Sequence, residues 1–180
     1  VKESFTIVEK AELSVPLLMF VGGDVDIRAH VAMPALRQVN GGLAIRDNAN
    51  VKIPLLEDVR GVVEINGNVE LPTLTSVGRD LKIGVDNVEL PQLVKVGGSL
   101  NVAYRAKLPY LFRIGKDLTI SYAIGFTSLQ YVGGRIHTWR SAELLAPRLS
   151  FVSGNPYPAD VSTHCPGNLE IDASSAEQWK

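Results

Sequence analysis

Leu90-Pro91-Gln92-Leu93-Val94-Lys95-Val96-Gly97-Gly98-Ser99-Leu100-Asn101-Val102 is the clearest copy of a unit that fills most of this 180-residue chain. Copies begin at Pro16, Pro34, Pro54, Pro72, Pro91, Pro109, Thr127 and Pro147. Two positions on stands Leu18, Leu36, Leu56, Leu74, Leu93, Leu111, Leu129 or Leu149. Five positions on stands Val21, Val39, Val59, Val77, Val96, Ile114, Val132 or Val152, and glycine follows within two residues. Seven copies then carry an apolar-x-apolar triplet, as in Val63-Glu64-Ile65 and Leu81-Lys82-Ile83, with Thr138 replacing the last apolar residue in Ile136-His137-Thr138. The copies recur at intervals of 18, 20, 18, 19, 18, 18 and 20 residues. So narrow a period identifies a repeat architecture.

Apolar-polar-apolar is the period of a strand with one buried face. A triplet is too short to stand alone, so the pattern predicts stacking of coil on coil into a parallel sheet. Val51/Ile53, Val69/Leu71 and Val88/Leu90, just before prolines, predict a second short strand. Proline suits the corner that follows, and the glycines suit the next corner, where a positive φ is expected. Between Pro16 and Pro147 no helix-length stretch is free of Pro or Gly. The expected fold is an all-β solenoid, leucine-rich-repeat-like or a right-handed parallel β-helix, of about nine 18–20-residue coils. Phe5-Thr6-Ile7 supplies the first rung and Leu169-Glu170-Ile171 the last. Residues 1–15 are expected to form the first rung and cap, 16–152 the solenoid, 153–166 an inserted loop, and 167–180 the last rung and cap. In that tail Ser174 and Glu177 have capping-box spacing, with Trp179 laid over the last rung. A competing geometry comes from hexads such as Val21, Ile27, Met33, Val39 and Ile45, which suggest a triangular left-handed hexapeptide β-helix. The leucine after each proline and the 20-residue coils run against it.

The phrase Leu-Pro-x-Leu-x-x-Val-Gly-Gly-x-Leu-x-Ile resembles the short leucine-rich-type repeats of bacterial and phage proteins. It is also similar to the L domains of insulin- and EGF-type receptors, although those carry a disulfide framework that one cysteine cannot supply. The resemblance covers residues 5 to 171. It implies an interaction module with no catalytic residues, and a bacterial or phage protein acting on a host or defence component.

Composition narrows the function. At 46% hydrophobic and 21% charged residues the chain can bury a core. A net charge of −1 does not suit a histone-like binder. No apolar run nears the roughly 18 residues that span a bilayer, so no membrane role is expected. The lone cysteine favours the cytoplasm over secretion and excludes a Cys-rich zinc site. The chain begins at Val1, as a processed or trimmed start would. His30, His137 and His164 lack metal-ligand spacing, and no P-loop, GxSxG or HExxH is present. His164 and Cys165 are adjacent in the inserted loop, which reads as an exposed thiol rather than a nucleophile and its base. The expectation is a non-enzyme without cofactor or metal. A transferase β-helix stays open only on the hexad geometry. The outward triplet column, Asp26, Ala44, Glu64, Lys82, Asn101, Thr119 and His137, places Glu64 beside Lys82 as an ion pair and lacks the threonine ladder of an ice-binding face.

Charge is unevenly spread. Residues 1–90 hold 9 basic and 13 acidic side chains, whereas residues 91–148 hold 8 basic and only Asp117 and Glu143. The second stretch also holds seven of the twelve aromatics. Tyr104, Tyr122 and Arg140 fall in one column, with Arg105 and Trp139 beside them. Tyr110, Phe112, Arg113 and Tyr131 complete the candidate site, while Phe126 occupies a core position. Tyr, Trp and Arg dominate interface energetics, so the expected partner is another protein with an acidic or mixed surface. Nucleic acid binding through 91–148 is the alternative, and glycan binding a further one. An uncapped solenoid edge would favour a homodimer, and the 153–166 loop is a second candidate contact.

Overall fold

The structure, a computed structural model, describes residues 3–8, 12–139 and 142–153, and the backbone of 170–171. It is an all-β parallel solenoid of about eight turns of about 18 residues, with no helix among the described residues. Each turn lays down up to three short strands. In one turn these are Phe20–Val21, Val25–Ile27 and His30–Ala32, and Gln38–Val39 then starts the next. The triplets from Phe5–Ile7 to Ile136–Thr138 form an eight-stranded sheet. The strands of the valine column form a nine-stranded sheet. The segments before the prolines form the third side, as one four-stranded and two two-stranded sheets. Every pairing is parallel and in register: Leu43 lies opposite Val25 on one side and Val63 on the other.

The interior follows from that register. Val25, Ile27, Val31, Met33, Leu36 and Val39 of one turn are all buried, and their equivalents repeat along the axis as one apolar cluster. No polar or charged residue is buried among the described residues. The hexad positions are the inward residues of successive sides, and Phe126 sits among them, fully buried. The leucine after proline fills a corner instead. Leu93 N donates to Leu90 O at 3.2 Å and Leu111 N to Leu108 O at 3.3 Å, closing four-residue turns with proline second. That turn is why proline and leucine keep their spacing.

The structure corrects three expectations. The valine column forms strands of its own, so a coil has three sides rather than two and a turn. Glu170–Ile171 pairs with Phe151–Val152 in the valine sheet and not with the triplets. No described glycine has a positive φ; Asn48 at 64° and Asn87 at 60° do. The corner glycines serve close stacking. A Cβ on Gly97 would lie 2.2 Å from the carbonyl oxygen of Gly78, and one on Gly115 would lie 2.1 Å from that of Gly97. At these glycines backbone rests on backbone, and a side chain would meet the neighbouring coil.

All the variation in coil length falls at a single corner, between triplet and third side. Two residues, Asn66 and Gly67, join Val63–Ile65 to Asn68–Glu70, whereas four, Arg46 to Ala49, join Leu43–Ile45 to Asn50–Lys52. In the 46–49 corner Asp47 and Asn48 are exposed, and the left-handed asparagines occupy two of the longer corners. The 20-residue coils therefore keep register. No helix of the described residues is long and apolar enough to cross a membrane.

Candidate interaction surface

Outward residues repeat in columns one coil apart, so each column behaves as a ladder. On the triplet sheet the first coils carry a continuous chain of ion pairs. Arg28 meets Asp26 at 3.3 Å, Arg46 meets Asp26 at 3.0 Å and Glu64 at 3.3 Å, and Lys82 meets Glu64 at 2.9 Å. Burial acts to raise the Asp26 carboxyl, but hydrogen bonds from Arg46 and Arg28 outweigh it and hold the group below its ordinary range. The Lys82 hydrogen bond, reinforced by Arg46, does the same for Glu64, and it raises the Lys82 ammonium in turn. The expected Glu64–Lys82 pair is thus one link of a longer network. On the third side Lys52 pairs with Glu70 at 3.2 Å, and Lys107 pairs with Glu89.

The later coils carry aromatic ladders instead. Tyr104 and Tyr122 stack with ring centroids 5.9 Å apart. On the valine sheet Tyr131 and Phe151 stack at 4.7 Å and are nearly parallel, and the Arg113 guanidinium lies 4.1 Å from the Tyr131 centroid. Ladder order puts Arg113 and Phe151 on opposite faces of Tyr131. Both π-faces of that ring are therefore covered.

The expected site residues do not form one patch. Tyr104, Arg105, Tyr122 and Trp139 lie at the variable corner, between triplet and third side. Tyr110 and Phe112 lie at the proline corner, and Arg113 and Tyr131 on the adjoining valine sheet. Three-sided coils separate these groups by a whole side. Arg140 lies outside the described residues, as do His164, Cys165, Trp179 and nearly all of the inserted loop. No group of three or more His, Cys, Asp or Glu that could hold a metal ion occurs among the described residues.

The second group belongs to a strip that extends beyond the expected residues. Count coils from Pro16. In the fifth to eighth coils the three outward positions after the proline corner read Gln92-Val94-Lys95, Tyr110-Phe112-Arg113, Ser128-Gln130-Tyr131 and Arg148-Ser150-Phe151. The strip contains no acid. Val94, Tyr110 and Phe112 are exposed apolar residues within it. Gln92, Val94, Tyr110, Phe112, Ser128, Gln130 and Arg148 line a shallow concavity of about 450 Å³. Lys95 and Arg148 make no ion pair with any described residue. The sequence signal for Val94, Arg148 and Phe151 was their column, visible once positions are counted from each proline. Comparison with family models, with curated proteins and with solved structures returns no match.

Proposed function

We propose that the chain is a non-enzymatic protein-binding module whose contact surface is the acid-free strip on coils five to eight. One observation carries this: four successive coils present aromatic, aliphatic and cationic side chains with no carboxylate among them, while in coils one to four every described cation except Arg79 pairs with a carboxylate. Exposed Tyr and Arg around an apolar centre suit a protein interface. Ring orientation supports the same choice over nucleic acid or glycan. Bases and sugars stack on open ring faces, but Tyr131 has both faces covered, and Tyr104 and Tyr122 cover one face of each other. The Tyr131 ring offers only its edge and hydroxyl to a partner. A kinship with short leucine-rich-type repeats, and with it a host or defence component as partner, belongs to this reading as a proposal.

The test is nuclease-treated capture with the native chain, with Phe112→Glu and with Tyr122→Ala, each checked for fold by circular dichroism. Loss of a captured protein with Phe112→Glu alone supports the strip. Loss with Tyr122→Ala alone moves the site to the variable corner. Capture that vanishes with nuclease treatment overturns the reading in favour of nucleic acid.

A further inference from the structure

The strip contains a notch. Ser128 is a small residue in its column, and Tyr110 and Arg148 stand one coil to either side of it. With strands spaced about 4.8 Å apart, these walls are roughly 9–10 Å apart along the axis. Phe112 and Gln130 flank the same depression, so one wall is a phenol, the opposite wall a guanidinium, and the floor a hydroxyl beside an amide. Arg148 has no carboxylate partner among the described residues, and Lys95 and Arg113 add positive charge on the adjoining sheet. Arg113 is already seated on Tyr131, which fixes its guanidinium close to the sheet.

Resting on the protein-binding reading, we propose that the notch anchors a carboxylate side chain from an acidic, extended segment of the partner polypeptide, laid along the solenoid axis. The charge pattern selects an anion. A guanidinium opposite a hydroxyl and an amide suits a carboxylate, which accepts from planar donors. The apolar contacts at Val94, Tyr110 and Phe112 call for aliphatic or aromatic residues between the acids. Lys95 and Arg148 lie three coils apart, about 14 Å, which an extended chain covers in about four residues. Acids four apart along the segment reach both.

The probes are fluorescent poly-glutamate and a random glutamate–tyrosine copolymer, measured against the full chain by anisotropy. An oligothymidylate of equal charge serves as the polyanion control. The copolymer is expected to bind at least tenfold more tightly than poly-glutamate. Arg148→Glu is expected to weaken copolymer binding at least tenfold. Arg79→Glu, an exposed cation at the glycine corner of an earlier coil, should change it less than twofold. Ser128→Trp fills the notch without altering charge and should weaken binding as Arg148→Glu does. Three results overturn the inference: no copolymer binding by the native chain, equal loss with Arg79→Glu, or tighter binding of oligothymidylate through Arg148. If a protein is captured through Phe112 while the copolymer does not bind, the protein-binding reading stands and the acidic-segment inference falls. If neither binds, both fall.

Discussion

Coils one to four and coils five to eight share a cross-section but treat their outward positions differently. In the earlier half, carboxylate follows cation along the ladders: Arg28, Asp26, Arg46, Glu64 and Lys82 form an unbroken run. In the later half the ladders carry rings, and Lys95, Arg105, Lys116 and Arg148 have no ion-pair partner among the described residues. A surface that satisfies its own charges has little to offer a partner beyond contact area. A surface that leaves cations unmatched beside exposed rings gains from a complementary one. Repetition supplies the scaffold, and the departures from self-pairing mark where recognition is concentrated.

If the halves differ only on the outside, matched damage to the shared interior must cost the same in both. Gly78→Ala would force a Cβ to within 2.3 Å of the Arg60 oxygen, and Gly115→Ala, at the same position two coils later, to within 2.1 Å of the Gly97 oxygen. Each should lose about 3 kcal/mol in urea unfolding, at the upper end of overpacking. Gly125→Ala, whose nearest neighbour would be a Leu145 methyl at 3.9 Å, should be close to neutral. A large inequality between Gly78→Ala and Gly115→Ala would break the comparison.

Outer-ladder substitutions should cost less and differ between halves. Tyr131→Ala removes a stacked ring and a cation–π contact together, and about 1–2 kcal/mol is expected by thermal melting. Arg46→Ala removes one of two cationic partners from each of Asp26 and Glu64 in the earlier half and should cost about 1 kcal/mol, less in added salt. Arg105→Ala, with no ion pair to lose, should stay within about 0.5 kcal/mol.

The smallest effect is the dependence on acid. Asp26 and Glu64 are held below their ordinary values of 3.8 and 4.5. The folded state thus binds fewer protons than the unfolded chain near those values. Their contribution is complete above about pH 4.5 and declines as the pH falls through the lowered folded values. Acid titration of Arg46→Ala should show a shallower decline than the native chain. An unchanged slope would mean that the ladder does not couple charge to stability.

Much of the fold could be read from residue spacing, because each coil repeats the same burial problem. Alternation at Val63-Glu64-Ile65 specifies a half-buried strand, and Pro91-Gln92-Leu93 specifies a turn. The valine side was harder to see. Its valine strands are two residues long, and two residues cannot display a period. Glycine misled for a physical reason: Gly97 fits both a left-handed turn and a close backbone approach, and only the neighbouring coil decides between them. The candidate surface was half legible. Tyr104 and Tyr122 stack as their shared column implies, but which side of a coil faces which way depends on the number of sides. Tyr110 and Phe112 were therefore grouped with residues at a different corner.

Every strand pairs with one 18 to 20 residues away, and nothing ties one end of the stack to the other among the described pairings. The two ends of the solenoid can therefore be pulled apart along the axis without crossing any long-range staple. Tension would peel the outermost turn first, breaking a few backbone hydrogen bonds at a time. Each turn of about 18 residues would release roughly 60 Å of slack. Such a molecule yields to load in equal steps, with the glycine edge, where backbone lies on backbone, setting the height of each step.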